Sequence, residues 1–325
     1  MLNLTTSNCI DVNGNTVENV LSVNDGNVVV TSNKTVYCSL YFDFYITARE
    51  ITYTNNGIEC EEVQCAIDEL YGRINGKLSE NLVAGLKRYQ GKEVDNYICF
   101  GTTDKDTCVG NTDRYMYRII GIDNSNQMKL IKKEALNTAY AWNTNKESNT
   151  TWENSTLYAN LNGSYFLTNT TYVPNSGWSN RIALVDWKYG DLTNSSATLQ
   201  EIATIEQGFS REVNAKIGLL YVHDYGYALA GGNNCTSGGI CELSWINLCQ
   251  NGNDLEAPEC GYEWTMTRYT HMLKINQAWV LHSYKTIVDS KEVDRTLSVR
   301  PVFYLTSTQE IASGSGTLND PYILR

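Results

Sequence analysis

The cysteine pattern constrains this chain more than any other feature. Ten cysteines fall into five pairs of sequence neighbours: Cys9 and Cys38, Cys60 and Cys65, Cys99 and Cys108, Cys235 and Cys241, Cys249 and Cys260. Structural zinc sites use cysteines at CxxC-like spacing, and no CxxC occurs here. The three histidines, His223, His271 and His282, do not stand at ligand spacing beside the cysteines. An even count of cysteines in short Asn- and Gly-rich stretches predicts disulfides and an oxidising compartment. Ten cysteines admit many connectivities, so neighbour pairing is an expectation from short loops. Each closed loop would contribute on the order of 2–4 kcal/mol by constraining the unfolded chain. No metal and no organic cofactor is expected.

A chain of 325 residues is long for one core, which points to two or three domains. The net charge of -11 argues against nucleic-acid binding, which needs clustered Lys and Arg along phosphates. Tyrosine (22) and tryptophan (7) far outnumber phenylalanine (6). Such rings join an apolar face to a hydrogen-bonding tip, and they suit recognition surfaces as well as sheet interiors. No run of 18 apolar residues is present, so no membrane-spanning segment is expected. The first residues lack the basic start and apolar run of an export signal. An exported protein would therefore have its targeting or anchoring segment absent from this chain.

The organisation expected is α+β and β-rich. Residues 1–53 form a small β module, with β-branched and aromatic runs at Val28–Val30, Val36–Leu40 and Tyr41–Ile46. Residues 54–87 form a helical connector, because Val63, Ala66, Ile67 and Leu70 recur at helical spacing between about Glu61 and Asn75. Residues 88–325 form the largest domain. Its strands are expected at 97–100, 115–122, 128–132, 218–222, 264–268, 278–282, 297–305 and 321–324, with helical character over Trp152–Phe166.

No catalytic centre is expected. The chain has no Walker loop, no HExxH and no GxSxG, and Gly314-x-Gly316 lacks a third glycine. Asp104-x-Asp106 faintly resembles a calcium loop, but Cys108 stands where a third oxygen ligand belongs. His223 and Asp224, taken as strand neighbours, would point to opposite faces. The segment between the framework runs Trp264–Arg268 and Leu297–Leu305 is the richest in large amphipathic and charged residues. Its candidates for ligand binding are Tyr269, His271, Lys274, Asn276, Trp279, His282, Tyr284, Lys285, Asp289, Lys291 and Arg295. If they form a binding face they should be exposed, while Trp264, Val299, Val302 and Tyr304 should be framework.

Several ordered motifs carry a resemblance. They include Asn96-Tyr97-Ile98-Cys99-Phe100-Gly101, Tyr117-Arg118-Ile119-Ile120-Gly121, Lys216 to Gly226, Arg300-Pro301-Val302-Phe303-Tyr304-Leu305 and Gly314-x-Gly316-Thr317-x-x-Asp320-Pro321-Tyr322. Together these resemble paralogous surface proteins of gut Firmicutes over roughly residues 51–325. The Trp-x-x-x-Arg and Val-Arg-Pro-Val end also looks like the C-type lectin-like fold. That fold is shared with formylglycine-generating enzymes and with the variable proteins of diversity-generating retroelements. The resemblance implies a C-type lectin-like domain over 88–325, with an exposed variable segment from Tyr269 to Asp294. The chain lacks the Glu-Pro-Asn, Gln-Pro-Asp and Trp-Asn-Asp triplets of sugar-binding lectins and has no cysteine after Cys260. Neither a calcium-held sugar site nor a catalytic cysteine pair is therefore implied. The expected function is extracellular ligand binding or adhesion at a bacterial surface, with a protein or glycan partner. Self-assembly through the N-terminal strands, as in a surface filament, is the first alternative. An enzyme on the same fold, a glycosidase or oxidase, is the second.

Overall fold

The computed structural model describes residues 7–24, 27–39, 46–47, 78–79, 81–90, 94–146, 150–194, 197–228, 246, 261–271, 274–282 and 287–325. The chain divides into two compact units, Met1–Ile46 and Thr47–Arg325. The first unit is built of short antiparallel pairs. Strand β1 (Asn8–Asp11) pairs with β4 (Val36–Ser39), and β2 (Leu21–Asn24) with β3 (Asn27–Val30). Cys9 lies directly opposite Cys38 in register, and the two form a disulfide. The expected helix from Glu61 to Asn75 lies outside the described residues.

In the second unit the strands are β5 (Leu86–Arg88), β6 (Tyr97–Cys99), β7 (Met116–Asp123), β8 (Met128–Lys132), β9 (Tyr140–Ala141), β10 (Val185–Tyr189), β11 (Arg211–Ala215) and β12 (Ile217–Gly218). They continue as β13 (Tyr262–His271), β14 (Lys274–His282), β15 (Ile287–Glu292), β16 (Thr296–Leu297), β17 (Val302–Tyr304), β18 (Glu310–Ser313) and β19 (Tyr322–Leu324). Strand outweighs helix, which makes the chain α+β and β-rich. The principal sheet runs β12-β17-β8-β7-β6-β19-β18, with β5 also paired to β7. All its pairings are antiparallel except β6 with β19, where the chain end lies parallel to Tyr97–Cys99. Met116–Ile122 are buried at every position, so β7 is covered on both faces. That explains a near-continuous apolar run without alternation. Phe100, Tyr117 and Phe303 meet beneath it with ring centroids 4.8–5.6 Å apart.

The helices are short: α1 (Lys105–Gly110), α2 (Thr112–Tyr115), α3 (Thr156–Leu161), α4 (Ser176–Arg181), α5 (Leu199–Gln207) and α6 (Val222–Tyr227). The Trp152–Phe166 stretch is helical only in part, as a turn of 3-10 helix at Trp152–Asn154 followed by α3. Asp104 Oδ1 accepts the Thr107 N–H at 2.7 Å and caps α1. Cys108 within α1 is bonded to Cys99, so the second expected disulfide is also formed. Cys60, Cys65, Cys235, Cys241, Cys249 and Cys260 lie outside the described residues.

Two strand expectations need correction. The 297–305 run is broken into β16 and β17 around Pro301, which has no N–H to donate but whose carbonyl accepts from Lys132. The 218–222 run is a strand only as far as Gly218; Val222 already opens α6. No helix among the described residues is long and apolar enough to cross a membrane.

Candidate functional site

Strands β13, β14 and β15 form a separate antiparallel sheet that carries most of the expected recognition residues. Alternation along each strand sends them to opposite faces. Trp279 and Tyr269, expected to be exposed, are buried at 3% and 7%. They pack with Leu192, Ala197, Ile202 and Val222, their rings edge to face at 5.0 Å. The Trp279 indole N–H donates to the Leu192 carbonyl at 3.0 Å. The physical reason is that residues of α5 and α6 pack on this face of the sheet. A tryptophan whose apolar body is enclosed and whose N–H finds a carbonyl belongs to the core.

The other side carries a partly exposed group. Tyr262 and His282 lie opposite each other in register, their rings stacked at 4.3 Å. Lys291 Nζ sits 4.1 Å from the Tyr262 ring centroid and 2.8 Å from Asp289 Oδ2. Burial would lower the Lys291 pKa, but the Asp289 and Tyr262 contacts outweigh it and raise it. Asn276 and Arg295 belong to a different group at the sheet margin. Asn276 donates to the Lys146 carbonyl at 2.7 Å, and Arg295 lies 3.9 Å from Glu292, which in turn pairs with Lys146. His271 and Lys274 face each other in backbone register, and nothing further is described of their side chains. Tyr284 and Lys285 lie outside the described residues.

A second arrangement was not foreseen from the sequence. On α5, Leu199, Ile202, Ala203 and Glu206 share one buried face, so the helix carries a carboxylate inward at the end of an apolar stripe. Glu206 accepts from the backbone N–H of Val222 at 3.1 Å and of His223 at 3.0 Å. It also binds His223 Nδ1 at 2.7 Å and the Thr267 hydroxyl. One residue on, Asp224 accepts from Arg88 Nη1 at 2.7 Å and Lys129 Nζ at 2.6 Å, and its Oδ2 reaches back to the Tyr221 N–H at 3.1 Å. His223 and Asp224 are thus neighbours on a short buried helix, with His223 Nε2 3.7 Å from Asp224 Oδ1, and not on opposite faces of a strand.

Aromatic rings complete the surroundings. Lys129 Nζ lies 4.9 Å from the Tyr221 ring centroid, 5.6 Å from Tyr304 and 5.7 Å from Trp187. Trp187 can approach because position 218 is glycine; a Cβ there would stand 2.6 Å from the indole. Burial alone would raise the Asp224 pKa, yet the Lys129 and Arg88 charges hold its carboxyl well below the usual range. Glu263 makes the contrast. It is equally buried but meets one cation, Arg300, at 2.8–3.0 Å, and there burial prevails and raises its pKa.

A cleft of about 300 Å³ opens against this cluster, lined among others by Lys129, Glu206, Tyr221, His223 and Tyr304. Both carboxylates spend their oxygens on internal partners that tie α6 to α5 and to the principal sheet. Their arrangement therefore serves to lock the fold. Among the described residues, no group of three or more His, Cys, Asp or Glu side chains is placed to hold a metal ion. Compared with protein-family models, characterised proteins and solved structures, the chain matches none.

Proposed function

We propose that this chain is an extracellular binding protein whose second unit is a C-type lectin-like domain at a bacterial surface. Its recognition surface is the margin of the β13–β15 sheet around Tyr262, His282, Asp289 and Lys291, and its ligand is a protein or glycan. The observation that supports this reading is the contrast between the closed centre of that sheet and its part-exposed margin. Trp279 and Tyr269 are closed into one face and Trp264, Ala278 and Val280 into the other, while at the margin a stacked aromatic pair and an ion pair stay within reach of solvent. Large rings and charges on a rigid sheet lose little entropy on binding, which is the composition of interface hot spots. The two disulfides fit an oxidising compartment.

The test is a defined array of cell-surface glycans and extracellular matrix proteins, probed with wild type and with Tyr262→Ala/Lys291→Ala. We expect a saturable partner whose affinity falls by more than about 1 kcal/mol in a variant that stays folded. Unchanged affinity in that folded variant would remove the sheet face from recognition.

One observation favours a structural subunit as the second reading. Val12, Val29, Val30 and Tyr37 of the first unit are exposed, on or beside two-stranded sheets. Unpaired strand edges with apolar side chains are templates for strand addition. Sedimentation of the whole chain over a wide concentration range decides this: growing assemblies support the subunit reading, and a monomer throughout defeats it.

A further inference from the structure

Asparagine followed by glycine is prone to react with itself, because an unbranched glycine lets its amide nitrogen swing onto the asparagine side chain. The chain has such pairs at Asn13–Gly14, Asn56–Gly57, Asn75–Gly76, Asn162–Gly163 and Asn251–Gly252. Asn13–Gly14 and Asn162–Gly163 lie among the described residues, and they differ in the freedom that the reaction needs.

Asn13 and Gly14 are exposed in the turn that follows β1. Asp11 holds that turn from outside the pair. Its Oδ1 accepts the N–H groups of Asn13 and Asn15 at 2.9 and 3.0 Å, and its own N–H donates to the Asn15 carbonyl at 2.9 Å. Among the described residues the Asn13 carboxamide has no hydrogen-bond partner. Gly14 has a φ of +83°, and a Cβ there would meet nothing within 4 Å, so the space beside the peptide is open. The Gly14 N–H donates to the Asp11 carbonyl at 3.0 Å, a bond that water can replace at an exposed position.

Asn162, at the end of α3, is locked instead. Its Nδ2 donates to the Tyr158 carbonyl at 3.2 Å and to the Ile217 carbonyl at 2.9 Å, and its Oδ1 accepts the Ile217 N–H at 3.0 Å. Gly163 donates to the Asn160 carbonyl at 3.1 Å, and a Cβ on it would stand 3.1 Å from the Ala159 carbonyl oxygen. Turning this carboxamide toward Gly163 breaks all three bonds and takes the partner from the N–H of buried Ile217.

We propose that Asn13–Gly14 is a self-modification site, where the folded chain converts asparagine to isoaspartate and aspartate while Asn162–Gly163 stays intact. The Gly14 nitrogen bonds to the Asn13 Cγ, the Cγ–Nδ2 bond breaks, and Nδ2 departs as ammonia with the Gly14 amide proton. The product is a succinimide. Water then opens it at Cγ to give aspartate, or at the main-chain carbonyl to give isoaspartate, whose backbone runs through the side chain. Each event adds a negative charge beside Asp11, and isoaspartate lengthens a turn that pairs Ile10 with Thr16. The site is independent of the ligand-binding surface proposed above.

The experiment incubates the whole folded chain at mildly alkaline pH and follows both positions by peptide mapping. Electron-transfer fragmentation tells isoaspartate from aspartate. Conversion at Asn13 is expected at least tenfold faster than at Asn162, with isoaspartate among the products. In the reduced chain unfolded in urea the two rates should converge, since neither carboxamide is then held. Asn13→Gln, whose ring closure is slower by one added methylene, should remove the signal with an unchanged melting temperature. Equal rates in the folded chain, no conversion at Asn13, or a rate ratio that persists in urea overturns the proposal.

Discussion

Two places in the second unit bring a lysine, an aspartate and a tyrosine ring together at nearly the same distances. At the core site Lys129 and Asp224 are 2.6 Å apart with side chains 2% and 0% exposed, and the Tyr221 ring is 4.9 Å from the amine. On the sheet face Lys291 and Asp289 are 2.8 Å apart, 29% and 40% exposed, with Tyr262 at 4.1 Å. Depth separates them. In the core each charge has surrendered its water and depends on its partners, and Arg88 joins to satisfy the carboxylate. On the surface water shares the work, so the pair contributes little to folding and stays open to a ligand. The same three residue types therefore act as architecture in one place and, in the function proposed above, as a recognition surface in the other.

The comparison breaks first at Asp224. Asp224→Ala strands Arg88 and Lys129 without their carboxylate and should cost about 3–5 kcal/mol in urea unfolding. A loss below about 1 kcal/mol would mean that water already reaches the cluster. Its pH dependence follows from the depressed Asp224 pKa. The folded value lies below the unfolded value near 3.9, so the stabilisation is complete above about pH 4 and is lost as the pH falls further. The stability gap between wild type and Asp224→Asn should narrow on acidification below that point.

Trp279→Ala tests the buried face of the β13–β15 sheet. Trp279 is core, so the change should cost roughly 3–5 kcal/mol, and a near-neutral result would return it to the surface. The Cys99–Cys108 disulfide closes a short loop, and Cys99→Ser/Cys108→Ser should lower stability by about 2–4 kcal/mol by the same measurement. Lys291→Ala should have the smallest effect, below about 1 kcal/mol. A cost as large as that at Asp224 would erase the distinction between the two sites.

Local features were legible in the sequence. The strands at 97–99, 116–123 and 128–132 follow from apolar and β-branched runs between turn residues. Helix α5 opens on a signal that stands in the sequence, Thr198 followed three residues later by Glu201, and the two exchange side-chain-to-backbone bonds at 2.7 and 3.3 Å, as a capping box does. The apolar run from Ile217 to Val222 suggests a strand up to the residue at which helix α6 begins. What turns the chain there is Asp224 binding the Tyr221 N–H while Glu206, from another helix, takes the next two N–H groups.

By itself the sequence determined the spacing of the cysteines, the period of the strands and the excess of acidic residues. Each depends on neighbours within a few positions. Only the tertiary structure decided which charges are partners and which face of a strand is inside. Arg88 finds Asp224 across 136 residues, and Lys129 finds it across 95. Period-two alternation says that Trp279 and its strand neighbours Ala278 and Val280 point to opposite faces, but not which face α5 and α6 will cover. The free energy of a buried group is set by the water it loses and the partners it gains, and both belong to the assembled fold.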